Sequence, residues 1–147
     1  MAIKRADFPL PDLGEPLTAP FFAAAAAGEL RIPRCEGCGA YVWYPQEQCP
    51  SDGGSLTWTQ LSGRGTLFSW AVVRRAFLPA FEDKVPFVTA LVALDEDPFV
   101  RIPTYVVDAE PDVLGADAAV EAVFRELSFT TVPDKSVTVP MFRLVGE

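Results

Sequence analysis

The chain has 147 residues, half of them hydrophobic, with 12 basic and 20 acidic side chains for a formal net charge of −8, three cysteines and no histidine. That length suits one domain plus a small appendage, and the acidic balance opposes non-specific nucleic-acid binding, which is driven by phosphate neutralisation. Without histidine no Ser-His-Asp or Cys-His pair can form within the chain, which leaves carboxylate, Lys or Tyr chemistry.

Residues 1–17 contain Pro9, Pro11 and Pro16 and read as an extended arm, packed on a partner or on the domain itself, with simple disorder as the plain alternative. Met1 to Asp7 lacks the apolar core that follows the charges of a signal peptide. No run of 18 apolar residues could span a bilayer, so the expected location is cytoplasmic, with which unpaired thiols agree. A short helix is predicted next. Thr18 can cap it, Pro20 suits its first turn, Ala23 to Ala27 have high helix propensity and Gly28 ends it.

Glu29 to Pro33 reads as a strand entering Cys35-Glu-Gly-Cys38. Ten residues later comes Cys49-Pro-Ser-Asp52. Two Cys-x-x-Cys knuckles converging on one tetrahedral Zn²⁺ are the signature of a zinc ribbon. Here Asp52 stands where the last cysteine would be. The predicted metal ligands are Cys35, Cys38 and Cys49, with the Asp52 carboxylate or a water as the fourth. Gly37 and Gly39, then Pro50, Gly53 and Gly54, allow the tight turns that aim backbone N–H groups at sulfur. Three other readings compete: a metal-free loop with three thiols, a disulfide that leaves one cysteine over, and a catalytic zinc with an open position. The last lacks a histidine as general base.

Tyr41 to Pro45 is aromatic and β-like, as the middle hairpin of a ribbon should be, and Leu56 to Leu61 alternates and leads out of it. Gly63-Arg-Gly65 marks a break. Strands are predicted at Thr66–Arg74, Phe87–Leu94, Phe99–Val107 and Val137–Leu144. Val120–Leu127 has helix propensity, but its alternation fits a strand open to water on one face. Repeated strands without crossover helices predict an antiparallel barrel or sandwich. The ribbon and the barrel are expected to have separate cores.

The loop Arg75–Pro86 is the most function-like segment outside the ribbon. Arg74 and Arg75 are candidates to meet the phosphates of a ligand, and Phe77 and Phe81 to stack on its base or contact a partner. The plain alternative is a solvated loop whose phenylalanines cap the barrel end.

In this order, the parts resemble the acyl-CoA-associated zinc-ribbon and OB-fold family catalogued as domain of unknown function thirty-five. The resemblance runs from about Thr18 to Leu144. It is carried by Ala27-Gly-Glu-Leu30, Arg34-Cys35-Glu-Gly-Cys38-Gly39, Tyr44-Pro45 before Cys49-Pro50, Ser62-Gly-Arg-Gly65-Thr66, Val85-Pro86-Phe87-Val88 to Leu94, and Pro140-Met-Phe142-Arg143-Leu144. It implies a mainly β fold: an N-terminal arm and helix over 1–29, a rubredoxin-like zinc ribbon over 30–61 and a five-stranded OB-fold barrel over 62–147. It implies a non-catalytic accessory subunit in a hetero-oligomer with a thiolase-like protein. Complexes of this kind perform thiolase or retro-aldol cleavage of CoA esters, as in steroid side-chain degradation, and the partner carries the catalytic residues. Asp52 departs from the family's usual last cysteine. The segment 103–108 and the insert before Val120 depart from its usual link between the third and fourth barrel strands. The alternative reading is a zinc-ribbon/OB-fold nucleic-acid-binding protein, for which Arg31, Arg34, Arg64, Arg74, Arg75 and Arg101 are the available cations.

Overall fold

The computed structural model describes residues 6–146. A helix, α1 (Ala19–Ala26), leads into a two-stranded antiparallel ribbon of β1 (Leu30–Cys35) and β2 (Leu56–Leu61). Five strands follow: β3 (Arg64–Val73), β4 (Phe87–Leu94), β5 (Asp97–Val106), β6 (Ala119–Phe129) and β7 (Val132–Leu144). They close into a barrel in the order β3-β4-β5-β7-β6, with β6 returning to β3. All its pairings are antiparallel except the one that closes β5 on β7, through Val106 and Phe142. This is the OB-fold expected from the resemblance.

The ambiguous segment is a strand, and the alternation explains why. Val120 is fully buried while Glu121 pairs with Arg143 on the outside. A helix would have left the barrel without its link between β7 and β3. Gly65 makes that link possible. It faces Leu94 on one side and Val120 on the other, and a Cβ there would press into the Ala93 carbonyl and lie 2.8 Å from Val92 Cγ1.

Four expectations need correction. Thr18 sits at the start of α1, but its hydroxyl makes no capping bond; its carbonyl instead accepts from the amides of Phe21 and Phe22. Tyr41 to Pro45 does not form a hairpin. Only a single bridge joins Tyr41 to Arg34, and Trp43 turns inward to pack on Phe21. The described part of the arm is turned rather than extended, and buries Leu10 with Phe129, Val132 and Val137 of the β6–β7 hairpin. Its first five residues, including the start of the segment read against a signal peptide, lie outside the described residues.

The cores are also not separate. Leu30 and Ile32 of β1 and Leu61 of β2 belong to the same buried cluster as Leu67, Val92, Ile102, Val120 and Phe142 of the barrel. Ribbon and barrel therefore support one another through shared apolar contacts.

Candidate metal centre

Strand β1 delivers Cys35, buried, to the mouth of the first knuckle. The chain reverses there. The Cys35 amide donates to the Ala40 carbonyl and the Gly39 amide to the Cys35 carbonyl, with Gly39 at φ +75°. The Cys38 amide is aimed at Cys35 Sγ, 3.4 Å away. The second knuckle repeats the device. The Gly53 amide donates to the Cys49 carbonyl at 2.8 Å, with Gly53 at φ +71°, and the Cys49 amide donates to the Gly54 carbonyl. β-branched or bulky residues would be strained at these two positive-φ positions.

These turns bring Cys35, Cys38, Cys49 and Asp52 together, with one ligand atom from each within 4.8 Å of all the others. Cys38 Sγ and Cys49 Sγ are 3.7 Å apart, and Cys35 Sγ lies 3.3 and 3.6 Å from the two Asp52 oxygens. A tetrahedral zinc site with Zn–S near 2.3 Å and Zn–O near 2.0 Å has edges of roughly 3.8 Å between sulfurs and ~3.5 Å between sulfur and oxygen. The donor set fits Zn²⁺ in both chemistry and spacing. The three cysteines form no disulfide. Glycine is needed beside the cluster: a Cβ on Gly54 would stand 2.9 Å from Asp52 Oδ1 and 3.0 Å from Cys35 Sγ.

The electrostatics call for a cation. The Gly54 amide, then the thiols of Cys35 and Cys49, hold the Asp52 carboxyl below its usual range. The amides of Asp52 and Ser51 pull the Cys49 thiol down. The Ala40 amide pulls on Cys38 in the same sense, but Cys35, burial, Cys49 and the Asp52 charge outweigh it and push this thiol up to about 11. Without metal, Cys38 therefore keeps its proton at neutral pH. Zinc uptake should release protons into a weakly buffered solution, and zinc affinity should fall as the pH is lowered, because proton and metal compete for the same sulfur. Uptake without proton release at pH 7 would contradict this.

The other candidates are divided by the structure. Arg74 and Arg75 are exposed, Phe77 is 85% exposed, and Phe81 turns inward to stack on Phe87 and meet Phe129 edge-on. Beside Phe81 lies a cleft of 280 Å³ lined by Phe87, Tyr105, Leu127 and Met141, with Lys84 and Arg125 among its polar groups. Arg125 is held in a two-pronged ion pair by Asp108. Sequence reasoning passed over two exposed rings, Phe68 and Phe99, and the stacking of Arg101 on Phe68, 3.8 Å from its centroid. The signal was present in the strand sequences: β3, β4 and β5 contain almost no charge.

A model of the ChsH2 rubredoxin-like zinc ribbon domain matches residues 22–58, and one of the ChsH2 C-terminal OB-fold domain matches 58–125. A DUF35 domain-containing scaffold protein of Methanothermobacter thermautotrophicus is 31% identical over 96 residues, which is 64% of this chain and 70% of that protein. The chain belongs to the DUF35 family. Among solved structures, this DUF35 chain is similar to the Ltp2-ChsH2(DUF35) aldolase, with a TM-score of 0.77 and 29% identity over 91% of this chain and 98% of that one. A DUF35 protein of unknown function from Sulfolobus solfataricus shares the fold, with a TM-score of 0.55 and 12% identity over 89% of this chain and 87% of its own. The zinc-ribbon match falls on the segment where the structure assembles three thiols and a carboxylate.

Proposed function

We propose that this chain is a non-catalytic accessory subunit of a thiolase-like acyl-CoA aldolase or thiolase complex, which cleaves a carbon–carbon bond of a CoA ester such as a steroid side-chain intermediate. The observation that carries this reading is the likeness to the Ltp2-ChsH2(DUF35) aldolase, which spans ribbon and barrel together. The archaeal relative, a scaffold protein, points the same way. The chain's own chemistry agrees with it. Histidine is absent, and the three thiols sit in one metal-binding group.

Zinc bound by Cys35, Cys38, Cys49 and Asp52 has a structural role here, joining two knuckles whose intervening chain buries little. Four protein ligands leave no open position for substrate. The arm and helix of 1–29, the ribbon of 30–61 and the barrel of 62–147 then serve as three parts of one scaffold. Arg74, Arg75 and Phe77, all exposed, are the proposed contacts for a CoA phosphate or the partner. A cytoplasmic location suits this chemistry; among the described residues no helix is long and apolar enough to cross a membrane.

The nucleic-acid alternative requires a basic groove. The net charge of −8 opposes one, and Arg31 is already paired with Glu29.

The test is co-expression with a thiolase-like protein from the same genome. The two should co-purify as a stable hetero-oligomer, and the DUF35 chain alone should not cleave acyl-CoA. Turnover by the isolated chain would overturn the proposal.

A further inference from the structure

The outside of the barrel has two unlike sides. Strands β6 and β7 carry Glu121, Arg125, Glu126, Asp134, Lys135 and Arg143, the usual dress of a solvated surface. Strands β3, β4 and β5 span 10, 8 and 10 residues and hold only three charges, Arg64, Asp97 and Arg101. Arg64 and Asp97 lie at strand starts. Arg101 alone sits within the sheet face.

The register shows what that face presents. Ala71 stands beside Thr89, and Thr89 beside Tyr105; Ser69 stands beside Leu91, and Leu91 beside Pro103. A bulge between Leu67 and Ser69 puts two successive side chains, Phe68 and Ser69, on the outside. Ser69, Ala71 and Thr89 keep part of this face low, with Leu91 and Pro103 beside them. The middle is a shallow depression of 340 Å³ lined by Ser69, Ala71, Thr89, Leu91 and Pro103 among others. At one end Phe99 is 88% exposed and Phe68 45% exposed, with the Arg101 guanidinium over the Phe68 ring.

Of the chain's 20 acidic side chains, only Asp97, at the start of β5, falls in these three strands. Contiguous exposed apolar surface marks an interaction site, and aromatic rings with arginine are the residues that anchor protein interfaces.

We propose that the outer face of β3–β4–β5 is the docking surface for the thiolase-like subunit, which seats an apolar protrusion in the depression and sets a carboxylate against Arg101. The inference rests on the function proposed above and assigns that partner a place. Charge decides between this occupant and a second copy of the chain. Two copies would each bring a net charge of −8 and would set Arg101 with no carboxylate from the matching face, since like charges across an interface oppose association. The stacking of Arg101 on Phe68 holds the guanidinium ready, so little side-chain freedom is lost on binding.

The test uses Ser69→Glu, Ala71→Glu and Arg101→Glu in the full chain, co-expressed with the thiolase-like protein that the wild-type chain captures. Ser69 and Ala71 are exposed, so the free chain should keep its zinc content and melting temperature. Each variant should weaken association by about tenfold or more, as expected for a charge forced into an interface centre. Lys135→Glu, on the opposite side, should associate as the wild type does. Variants of β3 and β5 that assemble normally, beside a wild type that assembles, would overturn the face and leave the proposed function standing. A wild-type chain that captures no partner would overturn both. A wild-type chain that is dimeric alone, and monomeric as Ala71→Glu, would assign the face to a second copy instead.

Discussion

Stripping the metal from the reduced protein should unfold the segment between the knuckles and weaken the barrel with it. Between residues 36 and 55 the chain buries Val42, Pro45 and Cys49 and little else, too small an apolar core to order two turns unaided. Bound zinc contributes about 10–16 kcal/mol of apparent free energy to isolated zinc-finger peptides, all of it folding free energy. Here the strands β1 and β2 also rest on the barrel, so part of their order should survive. Amides of the two knuckles should lose their hydrogen-exchange protection on chelation. The barrel's melting temperature should fall too, because Leu30, Ile32 and Leu61 are shared. Cys49→Ser should reproduce most of the effect. Knuckle amides equally protected with and without metal would contradict a structural zinc.

Truncating Phe142 to alanine should be the most damaging single change in the barrel. Phe142 is fully buried. It stands where β7 meets β5 at Val106 and β6 at Ala122, and its carbonyl accepts from the Val107 amide. The closing strand pair β5–β7 is joined by a single register partner, so the closure depends on side-chain packing there. Phe→Ala in a core costs about 3–5 kcal/mol, a large share of the ~5–15 kcal/mol that holds a domain together. Denaturant unfolding should show it. Phe99→Ala, whose ring is 88% exposed, should change stability by less than about 0.5 kcal/mol. Equal effects from the two would mean that Phe142 does not fill the core.

Much of this was legible in the sequence because local chemistry and fold agree. Cysteine spacing with flanking glycines specified the knuckles, since only such turns aim amides at sulfur. The alternation of Val120, Ala122 and Phe124 with Glu121, Val123 and Arg125 specified β6 against its helix propensity, as tertiary context often does. What sequence could not show was set by long-range packing. Trp43 turns into Phe21 rather than across a hairpin. Leu10 folds back on a β-hairpin more than a hundred residues away. Phe77 and Phe81 sit in one loop, and nothing in their spacing says that the first faces water and the second the core. The uncharged outer face emerges only when three strands are laid side by side, because within each strand an absence of charge reads simply as burial.

The most direct measurement of the scaffold account is the activity and thermal stability of the thiolase-like partner purified with and without this chain. The account predicts a partner that is unstable or inactive alone and recovers carbon–carbon cleavage of an acyl-CoA when this chain is added. A partner fully active and stable by itself, unchanged by the addition, would contradict it.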